Sequence, residues 1–417
     1  MHPKLDAALA AIPPPQTEDE SLRAAIARGL ITGYHHRWIQ EAWLVESVEQ
    51  EFHIPIFNPA SKRRSLSYTH AGKFDGLVSR NGDRYLLEHK TCREEIGPGS
   101  PYWTRLSIDT QISGYVLASW HLGRKLSGVL YDVIRKPEIR PKRLSPKDAL
   151  QVRFQGIYFD QPLSKEAVER FNGSDEGRET PELFEARLIQ DTLERPDWYF
   201  GRQLVTRLET ELLTYAEELW RTAKDIHTAL SSGDHRRNDK ACFAYHRPCE
   251  YLGLCAGHEH PFGSQWRQLP TLHPELEDST CGPTTLTHSR ISTFATCRRK
   301  HFYRYGLGIS RWETPEPLAF GSLFHQALAA WWRTDGQPPQ HQTLQVGGSL
   351  QSGKTPTQPH SPACRAGMGQ DQPGGNGTVS LVSHDQERNG PAHPDPEPAG
   401  PTHPVDKVAP SKGRLLR

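Results

Sequence analysis

Hydrophobic positions recur along the chain with two different periods, and each period predicts one type of element. Apolar residues spaced three and four apart predict helices over 18–45, 102–123 and 203–230. Alternating or continuous apolar runs predict strands over 45–59, on both sides of Asn81-Gly82, and over 127–137. The order of strand, hairpin, helix and strand predicts an α/β fold with a mixed central β-sheet flanked by helices.

Two of these helices carry apolar stripes that we expect to pack in the core. The first stripe consists of Ile108, Ile112, Tyr115, Val116 and Trp120, with Gly123 placed to end the helix. The second consists of Leu204, Leu208, Leu212, Tyr215, Leu219 and Ile226. Stripes at helical spacing more often form a core than a cofactor surface.

The predicted hairpin brings charged residues together. A two-residue loop at Asn81-Gly82 is typical of a type I′ turn, and it fixes a register in which Asp75 faces Glu88. Like charges in such a pair repel each other, while side-chain alternation puts Lys90 on the same face as Glu88. This set suits a divalent cation with oxygen ligands, beside an ammonium group that orients a water. From these residues alone, a solvated hairpin edge with incidental charges is the alternative.

Composition narrows the classes of function. The chain of 417 residues has 50 Lys and Arg against 49 Asp and Glu, so its net charge of +1 leaves nucleic-acid binding to a local patch. It has neither a run of about 18 apolar residues nor a signal-peptide start, so we expect a cytoplasmic protein without membrane contact. Seven cysteines, an odd and clustered set, indicate metal binding rather than disulfides.

The composition changes sharply at residue 336, after which Pro, Gly, Gln, Ser and His dominate. Such a segment cannot bury enough apolar surface to offset its ordering entropy, so we expect 336–417 to be a disordered tail. The preceding chain divides into 1–260, which holds the predicted sheet, and a separate segment at 286–335.

Three short motifs occur in order at and after the hairpin: FDG at 74–76, EHK at 88–90, and QISGY from Gln111 to Tyr115. Together they resemble the PD-(D/E)XK nuclease superfamily, which has a restriction-endonuclease-like core, and within it the RecB-like exonucleases. Phe74 stands where Pro is more common. The resemblance implies that Gln111 and Tyr115, four residues apart on one helix face, hold the DNA strand.

The same resemblance implies roles for the hairpin residues. Asp75 and Glu88, joined by the backbone carbonyl of His89, bind Mg²⁺ or Mn²⁺ in that interpretation. Lys90 positions or activates the attacking water. The physical argument from the hairpin assigns the same residues to the metal and to the water.

Cys242, Cys249 and Cys255 follow the last predicted helix as Cys-x6-Cys-x5-Cys. They resemble the C-terminal part of the iron-sulfur staple of AddB-type nucleases, which binds a [4Fe-4S] cluster with a fourth cysteine located before the nuclease core. From spacing alone, a Cys₄ zinc site fits equally well. The resemblance favours the iron-sulfur cluster.

In the family, the fourth cysteine and a histidine in a G-x-x-x-H motif precede the hairpin. In this chain, the residues that resemble them lie after it, in the segment 286–335: Cys297, and Gly321 with His325. In a permuted nuclease, the segment 286–335 would fold back onto the core. Cys297 would then be a ligand of the iron-sulfur cluster, and His325 a ligand of the metal ion. An interrupted second copy of the domain, or a gene remnant read out of frame, are the alternatives. We favour the interrupted copy. In that arrangement His35 or His36 could approach the metal, although surface and helix-packing roles are commoner for such residues.

The function implied is hydrolysis of DNA by an exonuclease in repair, recombination or phage-related processing, with a helicase subunit as a candidate partner. The alternative is a cluster-stapled DNA-binding or scaffold module that has lost cleavage with the displaced motif. Basic residues over 135–147 and 297–300 are candidate phosphate contacts, although a solvated charged face explains them as well.

Overall fold

The computed structural model describes residues 2–174, 177–244, 247–276, 282–312 and 316–333, together with the backbone of 344–345. All of them belong to one compact unit. The helices are α1 (Pro3–Ala10), α2 (Glu18–Trp38), α3 (Pro101–Thr104), α4 (Thr110–His121), α5 (Pro146–Gln155), α6 (Lys165–Asn172), α7 (Pro181–Glu194), α8 (Pro196–Tyr199), α9 (Glu209–Ser232), α10 (Leu252–Ala256), α11 (His288–Thr296), α12 (Arg298–His301) and α13 (Glu316–Trp332).

The strands form one large mixed sheet and three small two-stranded ones. They are β1 (Leu44–Phe57), β2 (Arg64–Arg80), β3 (Asp83–Cys92), β4 (Gly128–Arg135), β5 (Ile157–Tyr158), β6 (Gln161–Pro162), β7 (Phe200–Val205), β8 (Phe243–Ala244), β9 (Arg247–Pro248), β10 (Trp266–Gln268), β11 (Thr285–Leu286), β12 (Ile309–Arg311) and β13 (Leu344–Gln345). The large sheet has the order β13-β1-β2-β3-β4-β7, and β11 pairs with β2. The β3–β4, β1–β13 and β2–β11 pairs are parallel and the others antiparallel. The predicted mixed α/β sheet is therefore confirmed.

The hairpin register is also confirmed. Arg80 pairs with Asp83, and the ladder continues to Gly76 and Leu87, as the two-residue loop requires. Asn81 and Gly82 have φ values of 54° and 89°, the two left-handed residues of a type I′ turn.

Strand β2 changes its partner on one edge. Its residues 76–80 pair with β3, whereas Thr69 and His70 pair with β11. Because β1 occupies the other edge of β2, residues 71–75 lie in a gap between β3 and β11. Asp75 is at the β3 end of this gap.

Helices cover both faces of the sheet, because successive residues of its inner strands alternate between two cores. Leu86 faces the core shared with α4, and Leu87 faces the core shared with α2, α7 and α13. The α13 residues Phe324, Trp331 and Trp332 are fully or almost fully buried in that second core. The late segment, residues 286–335, therefore packs through α13 against the N-terminal helices α1 and α2.

Two predicted stripes are partly wrong. Asp109 caps α4 by accepting a hydrogen bond of 3.0 Å from the Ile112 N–H, so the helix begins after Ile108, which is 82% exposed. Leu204 lies in β7 and Leu208 precedes α9, and both side chains are exposed. In each case a cap or a strand pairing, rather than the apolar period, sets the start of the helix.

The predicted tail at 336–417 lies outside the described residues except for Leu344 and Gln345. These two pair with Phe52 and His53 of β1, which a tail without structure does not anticipate. Among the described helices, none combines the length and the apolar character needed to cross a bilayer.

Candidate metal centre and active site

Three side chains of metal-ligand type meet beside the gap in the sheet. One carboxylate oxygen each of Glu49 and Asp75 and one ring nitrogen of His325 lie within 4.8 Å of one another. Asp75 Oδ1 is 3.5 Å from His325 Nδ1, and Asp75 Oδ2 accepts a hydrogen bond of 2.7 Å from the N–H of His89. These three residues lie on β1, β2 and α13, so the segment 286–335 supplies one member of the group.

Glu49 is the member that sequence reasoning missed. Its neighbours Val48 and Gln50 pair with Gly76 and Phe74, which places Glu49 opposite Asp75 across β1 and β2. Its φ of 55° is left-handed, so strand alternation does not predict where its side chain points. The one available signal is the density of acids in VESVEQEF, because acidic residues are depleted in strands.

The contact between Asp75 and His325 determines their charges. Burial raises the pKa of Asp75, but the charge and hydrogen bond of His325 outweigh it and hold that pKa well below its usual range. Burial lowers the pKa of His325, and Asp75 raises it above the ordinary histidine value. A cation bound here would displace the proton from a ring nitrogen of His325, and Asp75 would already be ionised.

Glu88 and Lys90 form an ion pair on β3. Burial raises the pKa of Glu88 to about 7, with Lys90 opposing this rise and Asp75 adding to it. Burial lowers the pKa of Lys90, but the carboxylates of Glu88 and Asp75 raise it overall, so the ammonium stays charged. Glu88 Oε2 is buried without a hydrogen-bond partner among the described residues. Glu88, a predicted ligand, is nevertheless outside the group formed by Glu49, Asp75 and His325.

Gln111 and Tyr115 contact each other on α4. Gln111 Nε2 donates a hydrogen bond of 2.8 Å to Tyr115 Oη. The Tyr115 ring packs edge-on against Phe52 and Phe74, with ring centroids 5.9 and 5.3 Å apart. Burial raises the pKa of Tyr115 far above its usual range, and the charge of Glu88 raises it further. Tyr115 is therefore both a core residue and a neighbour of the carboxylates.

A buried network around Asp132 lies behind the metal centre. Asp132 Oδ2 accepts hydrogen bonds from Tyr34 (2.5 Å) and Arg202 (2.9 Å), and it lies 3.3 Å from His89 Nδ1. Burial raises the pKa of Asp132, but Arg202 and His89 lower it to about 2. Trp332 Nε1 donates to Tyr34 Oη at 3.0 Å. The network therefore connects the end of α13 to α2. It lies beside His89, whose backbone carbonyl is a predicted metal ligand.

The two N-terminal histidines have other surroundings. His35 is buried, and its Nδ1 accepts a hydrogen bond of 3.2 Å from Trp331 Nε1. His36 is exposed. These are the helix-packing and surface roles that are usual for such residues.

The three earlier cysteines lie on a compact turn after α9. The Cys249 N–H donates a hydrogen bond of 2.7 Å to the Cys242 carbonyl, and Cys255 follows in α10. Burial raises the pKa of Cys255, and the neighbouring thiols of Cys249 and Cys297 raise it further. Cys297, the fourth cysteine of the prediction, thus interacts electrostatically with Cys255.

A second contact holds the late segment at this turn. Asn238 Nδ2 donates a hydrogen bond of 2.9 Å to the carbonyl of Thr296, the residue before Cys297. All four cysteines are free thiols of intermediate exposure. Cys281 and Cys364 lie outside the described residues.

The donor atoms fit the predicted groups. Carboxylate oxygens with one imidazole suit a hard divalent cation, and the unpartnered oxygen of Glu88 adds a further donor. Thiols are the ligand type that suits an iron-sulfur cluster or zinc, but among the described residues no three of the sulfur atoms of Cys242, Cys249, Cys255 and Cys297 lie within 4.8 Å of one another.

Comparison with known families returns one match. A model of the PD-(D/E)XK nuclease superfamily matches residues 285–355. This range contains β11, α11, α12, β12 and α13 with His325, whereas the hairpin motifs lie outside it. The match indicates a nuclease, and nucleases of this superfamily use divalent metals to hydrolyse phosphodiester bonds. Searches of curated proteins and of solved structures return no match.

Proposed function

We propose that this chain is a divalent-metal-dependent deoxyribonuclease of the RecB-like type, with an active site assembled from permuted segments. The observation that carries the proposal is the contact between His325 and Asp75. The family match covers His325 and not Asp75, so this contact joins the matched segment to the hairpin motifs.

The packing of the late segment supports the permuted arrangement over an interrupted copy. Helix α13 shares a core with α1 and α2, and Asn238 donates a hydrogen bond to the carbonyl of Thr296, the residue before Cys297. A second copy would place these residues against a sheet of its own. A gene remnant would not be expected to supply a ligand to each of two sites.

The residues divide the chemistry among them. Glu49, Asp75, Glu88, His325 and the carbonyl of His89 hold the cation. Bound Mg²⁺ or Mn²⁺ supplies Lewis-acid stabilisation of the charge that develops on the phosphate oxygens.

The remaining residues act on water and on the strand. Lys90, kept charged by Glu88, donates hydrogen bonds that orient the attacking water or a phosphate oxygen. Gln111 offers its amide to the strand from the same helix face as Tyr115. Together they fix the phosphodiester bond in line with the water.

The test is cleavage of labelled DNA in Mg²⁺ or Mn²⁺ by wild type and Lys90→Ala. Because Lys90 acts in the reaction, we expect its loss to abolish cleavage, while the exposed α6 variant Lys165→Ala retains wild-type activity. Linear and closed circular single strands distinguish an exonuclease, which needs an end, from an endonuclease. Binding of DNA without cleavage by any variant would instead support the non-catalytic module.

We also propose that Cys242, Cys249, Cys255 and Cys297 hold a [4Fe-4S] cluster, with zinc as the alternative. In this interpretation the cluster fastens the permuted segment to the nuclease core. The role in DNA repair, recombination or phage-related processing, and a helicase partner, follow from the RecB-like resemblance.

A further inference from the structure

A basic pocket lies at the far end of β2 from the hairpin turn. The loop between β1 and β2 and the outer face of α9 enclose a volume of about 400 Å³. The lining includes the cations Arg63, Arg64 and Lys224, the aromatic residues Tyr68 and Trp220, and several serine and threonine hydroxyls. None of its lining residues is acidic. This composition is that of an anion-binding surface.

The three cations are not neutralised by the protein. All three are exposed, and within the described ranges none of them forms an ion pair with a carboxylate. Clustered cations without counter-charges repel one another, and a bound anion offsets that repulsion.

The pocket is connected to the metal centre by one continuous strand. Arg64 begins β2, and Asp75 lies on the same strand at the gap in the sheet. Tyr68, in the pocket wall, directly precedes the two residues that pair with β11 on the edge where the gap opens. The eleven residue steps from Arg64 to Asp75 span at most about 36 Å at strand rise. About ten phosphates cover that distance at their spacing in one strand of a duplex.

We propose that Arg63, Arg64 and Lys224 bind phosphates of the same single DNA strand that reaches the metal centre. The inference rests on the proposed function, because it takes this strand to be the substrate. A single strand fits better than a duplex, since the wall offers Trp220, on which an unpaired base can stack. The substrate would therefore be bound at two places, the metal centre and this pocket.

The experiment measures the salt dependence of strand binding. Lys90→Ala protein, which leaves DNA intact, is titrated with labelled oligothymidylates of about 20 and about 4 nucleotides, above and below the span between the sites. The test variant adds Arg63→Gln, Arg64→Gln and Lys224→Gln. The matched control instead adds Arg153→Gln on α5, Lys165→Gln on α6 and Arg178→Gln in the segment before α7. These substitutions remove the same number of positive charges from exposed positions.

For the long strand, we expect the log–log slope of affinity against salt to fall by about 2 in the test variant, because each lost phosphate contact removes about 0.7. The ratio of the affinities for the long and the short strand should also fall in the test variant. The control variant should keep both the wild-type slope and the wild-type affinity ratio. An unchanged slope in the test variant, or an equal loss in the control, overturns the inference.

Failure of the inference and failure of the proposed function give different results. If wild type cleaves DNA and the test variant keeps the wild-type slope, the pocket does not bind the strand and the nuclease assignment stands. If no protein cleaves DNA but the slope falls only in the test variant, the pocket binds the strand and the nuclease assignment fails.

Discussion

One left-handed residue shapes the metal centre. Glu49 adopts a φ of 55° within β1, a conformation that costs a non-glycine residue free energy and persists only where the surroundings impose it. It faces Asp75 and also forms an ion pair with Lys73. We interpret the distortion as the means by which a strand residue reaches the group formed by Asp75 and His325.

Replacing Glu49 tests this interpretation. Glu49→Gln keeps the shape of the side chain and removes its charge, so we expect the affinity for Mn²⁺ without DNA to fall about tenfold, or about 1.4 kcal/mol. Isothermal titration calorimetry measures this directly. Glu46→Gln is the matched control, because Glu46 lies on the same strand and also loses an ion pair, with Arg84. Equal affinities in the two variants would contradict the assignment.

The raised pKa of Glu88 gives stability a defined pH dependence. A carboxyl group whose pKa is raised from 4.5 to about 7 on folding is neutral in both states below about 4.5 and ionised in both states above about 7. Its burial therefore destabilises the fold progressively as pH rises from about 4.5 to about 7. Without divalent cations, wild type should therefore lose on the order of 3 kcal/mol of unfolding free energy relative to Glu88→Gln between these pH values. Urea unfolding with a chelator present measures the difference. A difference that stays constant with pH would show that Glu88 titrates normally.

At the scale of elements, the turn at Asn81-Gly82 fixes the hairpin register. Gly82 has a φ of 89°, and a Cβ there would meet no atom within 4 Å, so Gly82→Ala introduces backbone strain and no clash. We expect a loss of about 1–2 kcal/mol in urea unfolding. The loop residue Gly97 does not have a left-handed φ, and a Cβ there has room, so Gly97→Ala should be close to neutral. Equal losses would mean that the turn conformation does not limit stability.

This turn also explains why the hairpin was predictable. A two-residue loop dictates every pair that follows it, so the sequence alone placed Asp75 and Glu88 at the same level of adjacent strands. The loop between β1 and β2 carries no comparable signal. The position of Glu49 opposite Asp75 was therefore not predictable, and neither was the gap created where β11 replaces β3.

Helix boundaries show a similar limit. The apolar periods identified the helices α4 and α9, but Ile108 and Leu208 lie outside them. Within α4, Trp120 is 46% exposed, although its stripe was expected to pack in the core. Asp109 as the cap of α4 is a local signal present in the sequence. The β7 pairing that excludes Leu204 depends on β4, about 70 residues earlier, which no local pattern contains.

At the scale of the whole molecule, the cysteines test how the late segment is attached. Cys255→Ser should abolish or strongly reduce bound iron or zinc in protein purified without oxygen, because it removes one of the four proposed thiol ligands. Cys92→Ser is the control, since Cys92 lies on β3 and contacts the carbonyl of Glu94 instead. Elemental analysis measures the metal, and a brown colour with visible absorption distinguishes the cluster from zinc. Equal metal contents in both variants would contradict the four-thiol site.

The sequence did not show against which elements the late segment packs. Motif reading identified His325 and Cys297 as candidate ligands, but loop-closure entropy grows only slowly with length, so it did not decide between folding back and starting a new domain. The buried contacts of Trp331 and Trp332 with α2 carry that information. They depend on the shapes of surfaces that exist only in the folded protein.

The order of the segments also bears on biosynthesis. The hairpin with Asp75, Glu88 and Lys90 leaves the ribosome long before His325 does, and chains fold from the N-terminus as they are made. A nascent polypeptide would therefore carry its hydrolytic residues without their last ligand for most of translation.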